Sequence, residues 1–427
     1  MPKITAEESR PIQSDSPAVS SYFYGYYMRH LRRQAGRSIA SLAKEFSVSK
    51  GKLSEIENGL RSLPACMFGG FCVLFEVDFQ DDGARLAEMR MLLGALFNGF
   101  LRLDDVAIEQ AKSQYEQARE SFFNTPAHFH VWLADYLIES ALNKKENLRL
   151  FENLQEVEDV FSPDEQGLIY FLKGLRYRKA YELDCDNDMF EEAKDRLNSQ
   201  QLPGLAELIQ YYEVQASMKN SNPFDAYILC TETRKYFSAV HNYLRCLYLD
   251  NTEALCLIAC HQLGSALKQL DTLLATSSYI LDDYLRFCVI QNKFMVLSLL
   301  GRYDETLALM KEEEGIFTGE GLSCFFLAPY CEYMLGNTEK AMEGIRRMRP
   351  YACYEEEFLL FSCVEAAIAA SPALDGYAEK MLAFCRRRND YELAELTYKF
   401  LSRYYTMHDM PDKLLDVQRK YILFLNR

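Results

Sequence analysis

Between Ser49 and Arg61, the side chains of Lys50, Lys52, Ser54, Glu55 and Asn58 are of the kinds that meet DNA. Ammonium groups contact phosphates, while hydroxyl, carboxylate and amide groups read base edges. Arg37, Ser38, Ser49 and Arg61 flank or open the same stretch and complete the candidate set. These groups act together only if one rigid element presents them on one side. Leu53 and Ile56 supply its other side, since their spacing turns them inward on a short helix.

The elements that must position this helix are legible on either side of it. Tyr24, Tyr27, Met28 and Leu31 form an apolar stripe on a first helix, with Arg29, Arg32 and Arg33 facing mostly outward, and Gly36 ends it. Ser38 caps a second helix with Ile39, Leu42, Ala43 and Phe46 inside, and a tight turn follows through Ser47 and Val48. Ser49 then caps the third helix, and Gly59 stops it because a residue without a Cβ readily takes the left-handed conformation. Two short helices about a tight turn, the second with its N-terminal half polar and exposed, have the geometry that enters a major groove.

The run from Arg37 to Gly59 resembles the Cro/repressor-type (XRE) helix-turn-helix family. Leu42-Ala43, Val48-Ser49 and Leu53-Ser-Glu-Ile-Glu-Asn-Gly59 fall at that family's spacing, and Phe75-Glu-Val-Asp-Phe79 is similar to its closing segment. Ile39 stands where the family usually has Gln. Glu55 occupies a groove-facing position where Arg or Lys is common, so it either accepts from cytosine N4 or weakens phosphate contact. Gly69-Gly70 weakens the expected fourth helix.

Charge places any polyanion at this end of the chain. Residues 20–63 hold eight Lys and Arg against three acids, whereas the whole chain of 427 residues carries −15. An acidic body repels phosphates and leaves the basic module to bind them. Residues 1–20, with three prolines and no apolar period, read as a flexible arm. No apolar run is long enough for a membrane helix and the N-terminus is unlike a signal peptide, so a cytoplasmic protein is expected. The thirteen cysteines are odd in number and scattered through helix-like segments, and read as free thiols. Cys256, Cys260 and His261 lack a second nearby pair to complete a metal site. His128 and His130 read as a helix entrance. No metal or cofactor is expected, and no enzyme, since the phosphate-loop, Gly-x-Ser-x-Gly, His-Glu-x-x-His and dinucleotide patterns are missing.

From about residue 81 the apolar period is helical throughout, and the helices repeat. Leu299-Leu-Gly-Arg-Tyr-Asp-Glu-Thr306 and Tyr333-Met-Leu-Gly-Asn-Thr-Glu-Lys-Ala341 share a turn, with Thr306 and Ala341 separated by 35 residues. Asp188-Met-Phe-Glu-Glu-Ala193, His261-Gln-Leu-Gly-Ser-Ala266 and Asp409-Met-Pro-Asp-Lys-Leu414 fit the same slot, with a helix from Pro223 filling a gap. This resembles the tetratricopeptide turn, where Gly reverses the chain and a small residue lets the second helix pack closely. Stacked hairpins offer a concave surface for an extended peptide or another protein's segment. In that pattern the sixth residue of the first helix lies in the groove and is often Asn. Counting back nine from Gly301 gives Asn292, and from His261 gives Thr252 with Asn251 beside it. An Asn amide pairs with peptide C=O and N–H whatever the sequence. For Asn251 the rival reading is a helix cap or break at Asp250-Asn-Thr252.

The expected fold is all-α: a Cro/repressor-like helix-turn-helix followed by a right-handed superhelix of tetratricopeptide-like hairpins. The expected domains are the arm (1–20), the helix-turn-helix (21–80), a helical linker (81–100) and the repeat domain (101–427). Together the two parts resemble the peptide-pheromone-responsive regulators grouped as RRNPP, which include the Rgg, PlcR and PrgX types. The resemblance implies a homodimer that binds a double-stranded operator and a short signalling peptide. The alternatives are a repressor of this architecture whose body binds a protein or small molecule or serves only to dimerise, and an interaction scaffold whose helix-turn-helix no longer binds DNA.

Overall fold

A computed structural model describes residues 22–141, 148–179, 183–198, 201–219, 223–276, 283–313 and 325–425; the arm assigned to residues 1–20 lies outside them. The described residues are all-α, with 22 α-helices and no β-strand. No helix among them is long and apolar enough to cross a membrane, and eleven of their cysteines are free. The chain divides into two compact units, Met1–Ile209 and Gln210–Arg427.

The first unit opens with α1 (Phe23–Gln34), α2 (Ile39–Glu45), α3 (Lys50–Glu57) and α4 (Ala65–Leu74). Gly36 takes φ 61° and Ser47 φ 54°, which end α1 and α2 as the sequence requires. Gly69 and Gly70 do not interrupt α4, whose Met67, Phe68 and Phe71 are buried and hold it by packing. There follow α5 (Gly83–Arg102), α6 (Asp105–Ala118), α7 (His130–Ala141), α8 (Leu148–Glu156), α9 (Pro163–Lys179) and α10 (Leu183–Arg196), and the unit ends within α11 (Leu205–Lys219). His128 and His130 do mark the entrance to α7. The slot read at Asp188 is corrected: α10 already runs through it, so Ala193 is fully buried but no turn precedes it there.

The second unit contains α12 (Pro223–Ala239), α13 (Tyr243–Ala259), α14 (Leu263–Thr276), α15 (Asp283–Leu299), α16 (Tyr303–Glu313) and α17 (Ala328–Met334), then α18 (Thr338–Met348), α19 (Glu355–Ile368), α20 (Leu374–Arg388), α21 (Tyr391–Met407) and α22 (Pro411–Leu425). Consecutive helices pack as antiparallel hairpins around one continuous apolar core from Ala254 to Val417. One turn recurs between them. At His241, His261, Gly301, Gly336, Ala370 and Asp409 the backbone is left-handed, with φ between 48° and 87°. Each donates its N–H to the carbonyl three residues back, and the next residue donates to the carbonyl five back. This closes the helix end in a Schellman turn. Only two of the six are glycine, which is why glycine revealed only part of the series. At the second of these turns the reversing residue is His261, and Gly264 lies inside α14. Five residues beyond their turns, Ala266, Thr306 and Ala341 are all fully buried, where a larger side chain would force the paired helices apart.

Candidate nucleic-acid interface and repeat-domain site

Three helices hold the basic module. Leu42, Ala43, Leu53 and Ile56 are buried, so α2 and α3 turn their apolar sides inward. Ser38 Oγ accepts from Ser41 N–H and Ser49 Oγ from Lys52 N–H, both at 3.1 Å, so the two expected caps form. Their hydroxyls are thereby engaged with their own helix ends. Gly25 permits the close crossing of α1 and α3: a Cβ there would lie 2.1 Å from Ile56 O.

Arg32, read as outward, folds inward. Its Nε and Nη2 each donate to Glu57 at 2.7 Å, Nη1 donates to Arg37 O at 2.9 Å, and the two side chains are 12% and 2% exposed. Glu57 terminates α3, so this buried fork ties the candidate recognition helix to α1. The hydrogen bonds to Glu57 raise the Arg32 pKa further, against the effect of burial.

The candidate residues then separate by what they touch. Lys50, Gly51 and Glu55 are exposed, Lys52 and Ser54 half-buried. Neither Lys50 nor Lys52 has an acidic partner among the described residues. Arg37 is paired with Glu45, and Arg61 Nε lies 3.6 Å from Glu55, which therefore already faces a cation of its own module. Asn58, exposed at the end of α3, accepts from Arg29 Nη1 at 2.8 Å. Of the four candidate cations Arg37, Lys50, Lys52 and Arg61, the two lysines of the first turn of α3 are thus the freest, and there a recognition helix meets the groove.

The module is seated on the rest of its unit by α1. Phe23 and Tyr27 are fully buried between α4 and the segment leading into α7, with ring centroids 5.6 Å from Phe129 and 5.2 Å from Phe79 respectively. Tyr27 Oη donates to Asn124 at 2.6 Å and Tyr24 Oη to Asp81 at 2.9 Å. Tyr26 donates to Asp159, and Arg33 pairs with Glu156. Aromatic rings with satisfied polar ends bury much area at fixed orientation, so the exposed face of α3 is held by a rigid base.

In the second unit, α13 runs without interruption through Asp250-Asn251-Thr252, which is therefore neither a cap nor a break. Asn251 and Asn292, counted separately from two turns, meet: Asn292 Nδ2 donates to Asn251 Oδ1 at 2.9 Å, joining α15 to α13. Asn251 is buried and Asn292 half-buried. Thr252 Oγ1 donates within its own helix, to Tyr248 O at 3.0 Å. Helix α21 packs against both α13 and α15, where Lys399 donates to Leu299 O at 2.7 Å and His261 Nε2 lies 3.0 Å from Glu395. Gln269 adds bonds to Asp250 O at 2.9 Å and Glu253 at 3.0 Å, and Lys293 lies 2.8 Å from Asp271. Glu395, Lys399, Gln269, Lys293 and Asp271 had no signal in the turn counting, because they depend on which helices become neighbours.

A helix-turn-helix domain joined to helical hairpins is thus the class of molecule that the fold defines. Comparison with known proteins gives the same division. The helix-turn-helix domain family matches residues 24–90. No curated protein sequence matches the chain. Among solved structures, a Rap protein complexed with Competence and Sporulation Factor is 14% identical with a TM-score of 0.62, covering 80% of this chain and 97% of its own. The apo form of the quorum sensor NprR from B. thuringiensis is 14% identical with a TM-score of 0.59, covering 80% and 97%. NprR in complex with its cognate peptide NprX is 16% identical with a TM-score of 0.56, covering 81% and 99%. At these identities the chain shares their fold, the architecture expected of an RRNPP-type regulator.

Proposed function

We propose that this protein is a cytoplasmic DNA-binding transcription regulator whose repeat domain binds a short signalling peptide and thereby alters operator binding, acting as a homodimer. The observation that carries the DNA half is the first turn of α3, where Lys50 and Lys52 stand free of acidic partners beside Ser54 on a helix locked from behind by Arg32 and Glu57. The peptide half is supported by the fold shared with NprR bound to its peptide, and by the meeting of Asn251 and Asn292 across α13 and α15. An amide pair leaves one donor-rich and one acceptor-bearing end to exchange for a peptide backbone.

A second reading, a scaffold that does not bind DNA, is favoured by the pairing of Arg37 with Glu45 and of Arg61 with Glu55, which neutralises two of the four candidate cations. DNA titration at several salt concentrations separates the two. Under the first reading affinity falls steeply as salt rises, and Lys50→Ala with Lys52→Ala weakens operator binding by about tenfold or more in a folded protein. Wild-type-like binding by the double variant would move the interface elsewhere, and salt-insensitive or absent binding by the wild type would select the scaffold.

A further inference from the structure

Beneath the helix-turn-helix, within the first unit, α1 and α8 enclose a cavity of about 680 Å³ that the DNA and peptide sites do not use. Its size falls in the range of small-molecule sites, roughly 300–1,000 Å³. Arg29, His30 and Arg33 line it from α1, Arg149 from α8, and His128 and Trp132 from the entrance of α7.

Two of these side chains lack what their chemistry requires. His128 is buried, 6% exposed, and its Nδ1 accepts from the Asn124 N–H at 3.3 Å. A neutral ring in that arrangement carries its proton on Nε2, and this buried Nε2 has no hydrogen-bond partner. Burial, aided by His30, pushes the His128 pKa down to about 3, so the ring stays neutral. That Nε2 has no surface open to the cavity, so the neutral ring is part of its wall and not a donor to an incoming molecule. Arg149 is exposed at the mouth, and no acidic partner of it is found among the described residues. Two carboxylates also line the cavity: Glu156 is taken by Arg33 through its carboxylate and by Arg29 through its carbonyl, and Glu152 is exposed. Trp132 provides the flat apolar wall, edge-on to His30 at 5.1 Å between centroids.

We propose that this cavity binds a small aromatic carboxylic acid, its carboxylate on Arg149 and its ring against Trp132. The bound molecule would reach the DNA-facing helix through Arg29. That guanidinium donates from Nη1 to Asn58 at the end of α3 and from Nη2 to Glu156 O on α8, so it joins the cavity wall to the recognition helix. The site is separate from the repeat-domain asparagines and stands whether or not a peptide binds them.

Trp132 is the chain's single tryptophan, so its fluorescence reports this cavity alone. The test titrates the full-length protein with benzoate, 4-hydroxybenzoate, cinnamate and indole-3-acetate, each beside its uncharged amide. Expected is a saturable change in Trp132 emission with at least one acid, about tenfold weaker with its amide, and about tenfold weaker in Arg149→Gln. Arg149 is exposed, so that variant is expected to fold. Absence of a saturable response to all four acids up to about 10 mM would overturn the proposal. So would equal affinity of acid and amide, or an Arg149→Gln variant that binds as the wild type does.

Discussion

Replacing Glu57 with Ala removes the carboxylate that accepts two 2.7 Å hydrogen bonds from Arg32 while leaving the guanidinium folded between α1 and α3. Removing one partner of a buried pair costs about 3–5 kcal/mol, because the survivor is left charged and unpaired. Arg32 is 12% exposed and keeps its bond to Arg37 O, which places the expected loss near the lower end, about 3 kcal/mol. The chain has two compact units, so a global melt need not report this local change. Amide hydrogen exchange across α1–α3 does report it, and protection there should fall by about two orders of magnitude while the second unit is unchanged. Arg32→Met combined with Glu57→Leu removes both charges and should restore most of the protection. A loss of about 0.5 kcal/mol or less in Glu57→Ala, the size of an exposed pair, would refute the claim that this fork locks the recognition helix. A double variant as poorly protected as the single one would refute the electrostatic account of it.

Ser49→Ala deletes the cap that accepts from Lys52 N–H and should destabilise α3 by about 1 kcal/mol, seen as faster exchange confined to its first turn. Asn292→Ala strips Asn251 of its donor and should cost about 1–3 kcal/mol. Calorimetry with the cognate peptide should then show weakened binding, with DNA affinity of the peptide-free protein retained; unaltered peptide affinity would remove Asn292 from the site. Glu392 is pushed up to about 7, first by burial and then by Asp390. The folded state holds that proton more tightly than the unfolded chain, so the contribution is full below the ordinary value of 4.5 and is lost as pH rises towards 7. Glu392→Gln should flatten the decline in stability of the second unit across that window, by at most about 1.4 kcal/mol per pH unit; an unchanged slope in denaturant titrations would count against it.

Local rules carried much of this molecule. The helical period, the caps at Ser38 and Ser49, and the left-handed stops at Gly36, Gly301 and Gly336 depend on residues a few positions apart, so the all-α fold, the helix-turn-helix and the hairpins were legible in the sequence. The turns at His241 and Ala370 were not recognised in the sequence, and those at His261 and Asp409 were read from their spacing and not from a left-handed residue type, because tertiary packing of the helices on either side offsets the strain of a left-handed residue with a Cβ. Which side a long charged residue takes was likewise undecided locally: Arg32 reads as outward by helical phase, yet Glu57, 25 residues away, draws it in. Gly25 looked like an ordinary helix residue until the crossing with α3 placed Ile56 O where its Cβ would be. Counting from the turns gave Asn292 directly and Asn251 only as the neighbour of Thr252, and their bond exists only because α13 and α15 become neighbours. Hydrogen-bonded helices and their ends are short-range consequences of residue type, whereas ion pairs, close crossings and cavities are made by residues far apart in the chain, and only the packed structure chooses those partners.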